Sequence, residues 1–293
     1  MKVLIVEEKY NNKKLIDYLQ KKFDGLSSTT IYKALRKKDI RINDKRVSEN
    51  CLLQTGDEIK VYITDNLLFK TTDIPIVYED ENIVVFNKPS NMETTGDSSL
   101  TSYAKNLYSN HKNTFIEPCH RLDRNTCGLV LFARNKQTEE LLLKCFKNKN
   151  VEKHYMCVVV GKPQTESQKL QAFLFKDSKK SMVYISDVPK QGYQKIITSY
   201  KLLKYNKINN LSLLDVTIET GRTHQIRAHL AHIKLPILGD GKYGINKINS
   251  QFKIKSQCLA SYSLELHNIN DTHLSYLNNV LIKLPQTPFN KLV

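Results

Sequence analysis

The sequence is short of acids. Against 45 lysines and arginines its 293 residues carry only 29 aspartates and glutamates, a formal net charge of +16 at pH 7. Such a surplus attracts a polyanion by counterion release, so nucleic acid leads as a partner class, ahead of an anionic membrane or plain solubility. The chain also lacks any C-x-x-C: Cys51, Cys119, Cys127, Cys145, Cys157 and Cys258 are scattered. That argues against a disulfide framework or a thiolate zinc site and fits the reduced thiols of a cytoplasmic protein. No run approaches the ~18 apolar residues of a membrane span, and the opening MKVLIVEEKY turns charged too soon for the apolar core of a signal peptide. With no G-x-G-x-x-G and no Walker-type loop, there is no ground for a nucleotide cofactor. Internal repeats and low-complexity tracts are absent too. What remains is ordinary globular usage, 40% hydrophobic and 25% charged with 10 Gly and 8 Pro. The length suits one large domain, or a medium domain with a small one.

The N-terminal stretch reads as a small module. In KLIDYLQKKF (14–23) the apolar residues Leu15, Ile16, Leu19 and Phe23 gather on one helix face. After Gly25, Ser27 to Thr30 supply N-cap candidates for a second helix, IYKALRKKD, with Ile31, Ala34 and Leu35 inward and Lys33, Arg36, Lys37 and Lys38 outward. Asn43-Asp44 predicts a turn between short strands, and Gly56-Asp57 precedes the alternating strand EIKVYI. The expected order is helix, helix, strands, followed by a linker over 64–73. Seven basic residues stand against two acids between Lys33 and Arg46, enough to project a basic helix end and turn together.

Beyond the linker, strand-like runs at 82–88, 127–134, 154–161 and 213–220 are broken by helical stretches such as QTEELLLKCF, which predicts a mixed α/β domain on a long sheet. Two segments concentrate chemistry. HRLDRNTCG (120–128) holds Asp123 between two arginines in a polar loop that runs into an apolar strand, and TGRTHQIRAH (220–229) turns from a strand into a helix start, where Arg222 can meet an anion. Taken alone, an Asp beside arginines is most often half of a surface ion pair. His224, His229 and His232 invite a metal reading, but only the last two share a helix face and no carboxylate or thiol completes a set, so no metal site is expected.

These segments carry a resemblance. HRLDRNTCGLVLFA resembles H-R-L-D-x-x-T-S-G-L-L-L-x-A, the catalytic motif of the RluA/RluD family of RNA pseudouridine synthases, with Cys127 for the Ser and Val130 for a Leu. Further matches follow in order: the N-K-P segment in EDENIVVFNKPSNM (80–92), the K-x-Y segment in EKHYMCVVVG (152–161), and T-G-R-x-H-Q-I-R-x-H with its L-G-D-x-x-Y-G sequel (219–244). Near the end the pattern departs, Ala260 replacing a His and Asn268 a Pro. The module over roughly 12–63 is similar to the small S-four-type RNA-binding domain, with Asp44 where that family usually has Gly.

The resemblance implies two domains: residues 1–66, the S-four-type domain with its linker to about 73, and 74–293, a catalytic domain. Its fold class is α+β, a central mainly antiparallel sheet flanked by helices and loops. The implied function is isomerisation of uridine to pseudouridine in structured RNA, ribosomal RNA of the large subunit first and tRNA next, by a cytoplasmic monomer. The reaction breaks the N-glycosidic bond, turns the uracil and joins its C5 to the ribose C1′, so no redox cofactor or metal is called for. An ionised carboxylate serves either as nucleophile at C1′ or as base at C2′, and both routes stay open. By resemblance Asp123 is that group, Arg222 is its ion-pair partner (the alternative being a phosphate contact), and Tyr155 stacks on the target base. Arg121 fills the gap the flipped base leaves and Leu259 packs against the ring, while His120 is read as a structural or RNA-contacting histidine and Lys88 as a contact to the RNA backbone at most. Arg36, Lys37, Lys38, Arg41 and Arg46 are expected to dock RNA on the small module. A non-catalytic RNA-binding or assembly factor is the competing class, disfavoured by the retained Asp123, Tyr155 and Arg222.

Overall fold

The computed structural model describes residues 1–23, 25–63, 73–96, 99–109 and 115–293; most of the expected linker lies outside them. The chain divides into two compact units, Met1–Asp73 and Ile74–Val293.

In the first unit, helices α1 (Leu15–Lys22) and α2 (Ser28–Arg36) pack on a four-stranded antiparallel sheet ordered β1 (Lys2–Ile5), β4 (Glu58–Val61), β2 (Ile40–Ile42), β3 (Lys45–Arg46). Leu15, Leu19, Ile31, Leu35, Ile40, Leu53, Ile59 and Val61 form its core. The Ser27 hydroxyl accepts the Thr30 N–H at 3.1 Å, which starts α2 three residues before the expected IYKALR stretch. Asn43 and Asp44 have φ of 49° and 64°, the left-handed pair of a tight hairpin turn, so Asp44 takes the geometry glycine usually supplies. The leading strand β1 was not expected. Its Val3 and Ile5 are exposed, so no period marks it, and it exists because the free edge of β4 accepts it.

The second unit is built on an eleven-stranded sheet: β11 (Met182–Ser186), β10 (Ser167–Asp177), β12 (Gln194–Asn206), β13 (Leu211–Ile218), β9 (Val151–Val160), β14 (Leu259–Leu266), β8 (Cys127–Ala133), β6 (Ile83–Lys88) and β5 (Ile76–Glu79), with β15 (Leu281–Lys283) on β14 and β7 (Glu117–Pro118) on β8. Its pairs are antiparallel except β14 with β8. The central strands are buried on both faces, which is why they read as continuous apolar runs. Val84, Phe86, Val130 and Phe132 enter one core, beneath α3 (Leu100–Leu107) and α5 (Gln225–His232), while Ile83, Val85, Leu129 and Leu131 enter the other, which α4 (Lys136–Lys147) covers. A short helix α6 (Asn246–Gln251) follows α5.

The parallel seam sets Ala260 against Cys127 and Ser261 against Gly128. Gly128 has φ +105°, and a Cβ there would lie 2.1 Å from the Ser261 carbonyl oxygen, so the seam closes only on glycine. Cys127, where the family motif has Ser, still reaches a carbonyl through its thiol, that of Leu259 at 3.6 Å. Asn268 adopts φ 53°, which the family's proline could not adopt.

Candidate active site

Asp123 sits in the loop between β7 and β8, and the loop is pinned from several directions. Its own turn closes with Thr126 N–H donating to the Asp123 carbonyl at 3.0 Å. The Leu122 N–H donates to Thr94 Oγ1 at 3.1 Å, and Gln257 Nε2 donates to Thr126 Oγ1 at 2.6 Å. Lys88, at the end of β6, is fully buried, and its Nζ donates to the carbonyls of Pro89, Met92 and Arg124 at 3.0, 2.7 and 3.2 Å. Burial pushes its ammonium down to about 8, against the pull of Cys127 and Asp123. Lys88 therefore ties the turn after β6 to the loop that carries Asp123 and points into the protein rather than outward to RNA, contrary to the expectation, because three inward carbonyls take its donors.

The loop opens onto a cleft of about 400 Å³. Tyr155 on β9 and Leu259 on β14, 7% and 3% exposed, form its wall with Ile218 and Ile226, while Lys147, Lys153 and Arg222 line it as cations. Burial, then the nearby Asp123, pushes the Tyr155 phenol up, so it stays protonated. His120 also lines the cleft, but its Nε2 accepts the Leu131 N–H at 3.1 Å and its ring lies 4.9 Å from Phe146. Burial first, then Lys153, pushes the imidazole down to about 3, so it is an uncharged prop for β8 rather than an RNA-binding charge. Exposed Arg121 stands where the cleft meets a second hollow lined by Arg124, Lys176 and Lys242, and Asp123 borders both.

The ion pair expected of Arg222 is made by Arg227. Arg227 Nη1 lies 3.0 Å from Asp123 Oδ2, while its Nε and Nη2 hold Asp240 at 2.7 and 3.0 Å. Arg222 precedes α5 and is exposed, and among the described residues no carboxylate pairs with it; Arg227 lies within the helix and is 6% exposed. Asp240 is completely buried. Burial opposes its charge, but the Arg227 fork and the N–H groups of Lys242 and Tyr243 outweigh that and hold its carboxyl below the usual range. No helical period within the motif separates the two arginines, because α5 buries every residue from Gln225 to Leu230.

The three histidines scatter. His229 Nδ1 lies 3.0 Å from Thr198 Oγ1, His232 pairs with Asp187 at 2.8 Å, and His224 meets Tyr243 at 2.9 Å. Among the described residues the only group with ligand atoms close enough for a metal is Glu152, Glu265 and His267, whose Glu152 is shared with His154 at 3.1 Å. On the small unit, Arg36, Lys37, Lys38 and Arg46 are exposed; Arg41 lies 5.1 Å from the Tyr62 ring centroid and directly opposite Arg46 across the β2–β3 pair.

A mainly antiparallel sheet with helices over its faces thus holds the Asp123 carboxylate at the mouth of an apolar-walled cleft. A family model described as RNA pseudouridylate synthase matches residues 82–232, just over half of the chain, and the chain belongs to that family. It is similar to the ribosomal large subunit pseudouridine synthase C of Rickettsia bellii, 35% identical over 254 residues, covering 80% of this chain and 84% of that protein. It is also similar to an uncharacterized RNA pseudouridine synthase of Mycoplasma capricolum, 33% identical over 97% of this chain and 98% of that one. Human RNA pseudouridylate synthase domain containing 1 shares the fold, with a TM-score of 0.61 at 22% identity over 73% of this chain and 84% of that one. Among the described residues no helix is long and apolar enough to cross a membrane.

Proposed function

We propose that this isomerase acts on ribosomal RNA of the large subunit and that Asp123 is its essential group. The observation that carries the assignment is the asymmetry of the Asp123 carboxylate. Oδ2 is held by Arg227, whereas among the described residues Oδ1 accepts no hydrogen bond and is free to work in the cleft. A flipped uracil fits between Tyr155 and Leu259, which offer an aromatic face and an aliphatic wall, and Arg121 at the rim is positioned to replace the base in the RNA stack. Oδ1 then attacks the ribose C1′ or takes a proton from C2′. Either step breaks the bond to N1; the base turns and C5 bonds to C1′, displacing the Asp123 carboxylate from C1′ in the first route and with the proton returned to C2′ in the second, and the C5 proton leaves as N1 takes one up. Arg222, exposed on the cleft, suits a backbone phosphate.

Residues 1–66 act in this proposal as an S-four-type docking module. Arg41 directly opposite Arg46 is an unfavourable pairing that an RNA phosphate would relieve, with Arg36, Lys37 and Lys38 beside it. The relatives' names point to the large ribosomal subunit as substrate.

The test is release of tritium from large-subunit RNA labelled at uridine C5. Wild type should release it and form pseudouridine, while Asp123→Asn should bind the RNA normally and release none. Equal release from both would remove Asp123 from the chemistry; release from tRNA alone would replace the substrate. Neutralising Arg36 to Arg46 should flatten the salt dependence of binding, by about 0.7–0.9 in log–log slope for each phosphate that the module no longer neutralises.

A further inference from the structure

His224 is held in a costly position. It is the N-cap of α5 with φ 54° and ψ 17°, left-handed geometry that a side-chain-bearing residue adopts only under strain, and it makes no side-chain cap bond. Gln225 does not replace that bond but ties the preceding turn, its Oε1 accepting the Arg222 N–H at 3.1 Å and the Thr220 hydroxyl at 2.9 Å. An Asn or Asp would suit both the backbone and the cap better, so helix stability does not explain the imidazole.

Its ring does. His224 borders both hollows that meet at Asp123, with Nε2 3.9 Å from Asp123 Oδ2 and Nδ1 2.9 Å from the Tyr243 hydroxyl. That hydroxyl already accepts the Val183 N–H at 2.9 Å, so its own proton is free for His224 Nδ1. The neutral imidazole then carries its hydrogen on Nε2, facing the carboxylate. With the opposite tautomer a lone pair would confront Oδ2, and the Tyr243 proton would lose its acceptor. The groups facing the ring are Asp123, Asp240, Arg227, Lys242 and Tyr243; burial first, then Arg227 and Lys242, keeps the imidazole below its usual range and neutral, against Asp123 and Asp240.

Both neighbours converge on the same oxygen. Arg227 touches Oδ2 through one nitrogen, a single-point contact that leaves the carboxylate free to turn about its Cβ–Cγ bond. We propose that His224 is a positioning residue for the isomerisation: with its tautomer set by Tyr243, it presents Nε2–H to Asp123 Oδ2 as a second donor and so keeps Oδ1 aimed at the ribose. This rests on the assignment of Asp123 as the reacting group. As RNA closes the cleft and removes water, the 3.9 Å approach has a donor and an anionic acceptor already facing each other.

The test compares His224→Ala, His224→Gln and Tyr243→Phe with wild type and Asp123→Asn in single-turnover tritium release from C5-labelled ribosomal RNA, with RNA affinity and melting temperature measured alongside. Gln places a donor near the Nε2 position, and Phe keeps the Tyr243 ring while removing only its hydroxyl. His224→Ala should lower the rate constant by about tenfold or more, the scale of a hydrogen bond to a charged group, with RNA affinity within about twofold. Gln should recover several-fold of that loss, and Phe should fall between Ala and wild type. A His224→Ala rate within about twofold of wild type, a loss confined to RNA affinity, or rates that follow melting temperature with Gln no better than Ala would each overturn the proposal. An inactive Asp123→Asn beside a fully active His224→Ala would do so while leaving Asp123 in place. An active Asp123→Asn would take both assignments down.

Discussion

Arg222 and Arg227 belong to one motif, and their difference is one of burial. Arg227 spans two carboxylates from within a helix, so removing it strands Asp240, which is completely buried. Arg227→Met should destabilise the protein by about 3–5 kcal/mol, as stranding a buried ion usually does, and abolish tritium release. Arg222→Met should leave the melting temperature within about a degree, since surface changes are near neutral, and act only on RNA affinity or rate. Thermal melts and filter binding separate the two; equal melting losses would remove the distinction between a buried pairing role for Arg227 and a surface role for Arg222. Lys88 teaches the same lesson in reverse. A lysine in a basic RNA-binding chain invites a phosphate, yet this one commits its donors to three carbonyls that fix the loop bearing Asp123.

Among the elements, the seam between β8 and β14 does most to build the site. It is the parallel join in an otherwise antiparallel sheet, and it brings Leu259 beside the loop that carries Asp123. β9 flanks β14 on the other side, with Tyr155 opposite Ser261, so three strands distant in sequence deliver the wall and the acid to one place. Gly128→Ala should break this join. The clash is with backbone, which cannot rotate away, and the left-handed backbone compounds it. We expect little soluble protein, or a melting temperature lower by more than about 10 °C. Gly56→Ala, whose Cβ meets nothing within 4 Å, should feel only the strain of its φ of +90°. Similar melts for the two variants would show that the seam yields.

At the scale of the whole molecule, two histidines held below their ordinary range, His229 in the interior and His120 on the cleft wall, weaken the fold in acid. His120 and His229 are pushed down to about 3 and about 4, chiefly by burial. From the ordinary value near 6.5 down to those values, the unfolded chain binds protons that the native one refuses, so stability falls as pH falls. For the buried His229 the loss is on the order of 3 kcal/mol by about pH 4. His154 has the opposite sign: its bond to Asp215 raises it, so its contribution is present below about 6.5 and fades as pH rises through the raised value. Melting temperature should therefore drop steeply between about pH 6.5 and pH 4, and His229→Gln should flatten that slope even if it lowers the plateau. An unchanged slope would mean that His229 takes up its proton in the native state. Charge acts at this scale too: residues 1–70 carry net +5 and 71–293 net +11, so both units are basic and the attraction to RNA is spread over the chain.

The sequence by itself determined the strands buried on both faces, the hairpin turn at Asn43-Asp44, the basic balance and the loop that carries Asp123, because each is written in local period, turn chemistry or a contiguous string. It missed the long strands β10 and β12, whose solvent-facing sides are polar and whose alternation is diluted by lysines. Only the tertiary structure decided which arginine faces Asp123, that Lys88 turns inward, that His120 is a neutral prop, and that His224 stands beside the carboxylate with Tyr243 behind it. Those outcomes depend on which buried acceptors lack a donor once strands far apart in the chain have met, and no local pattern records that.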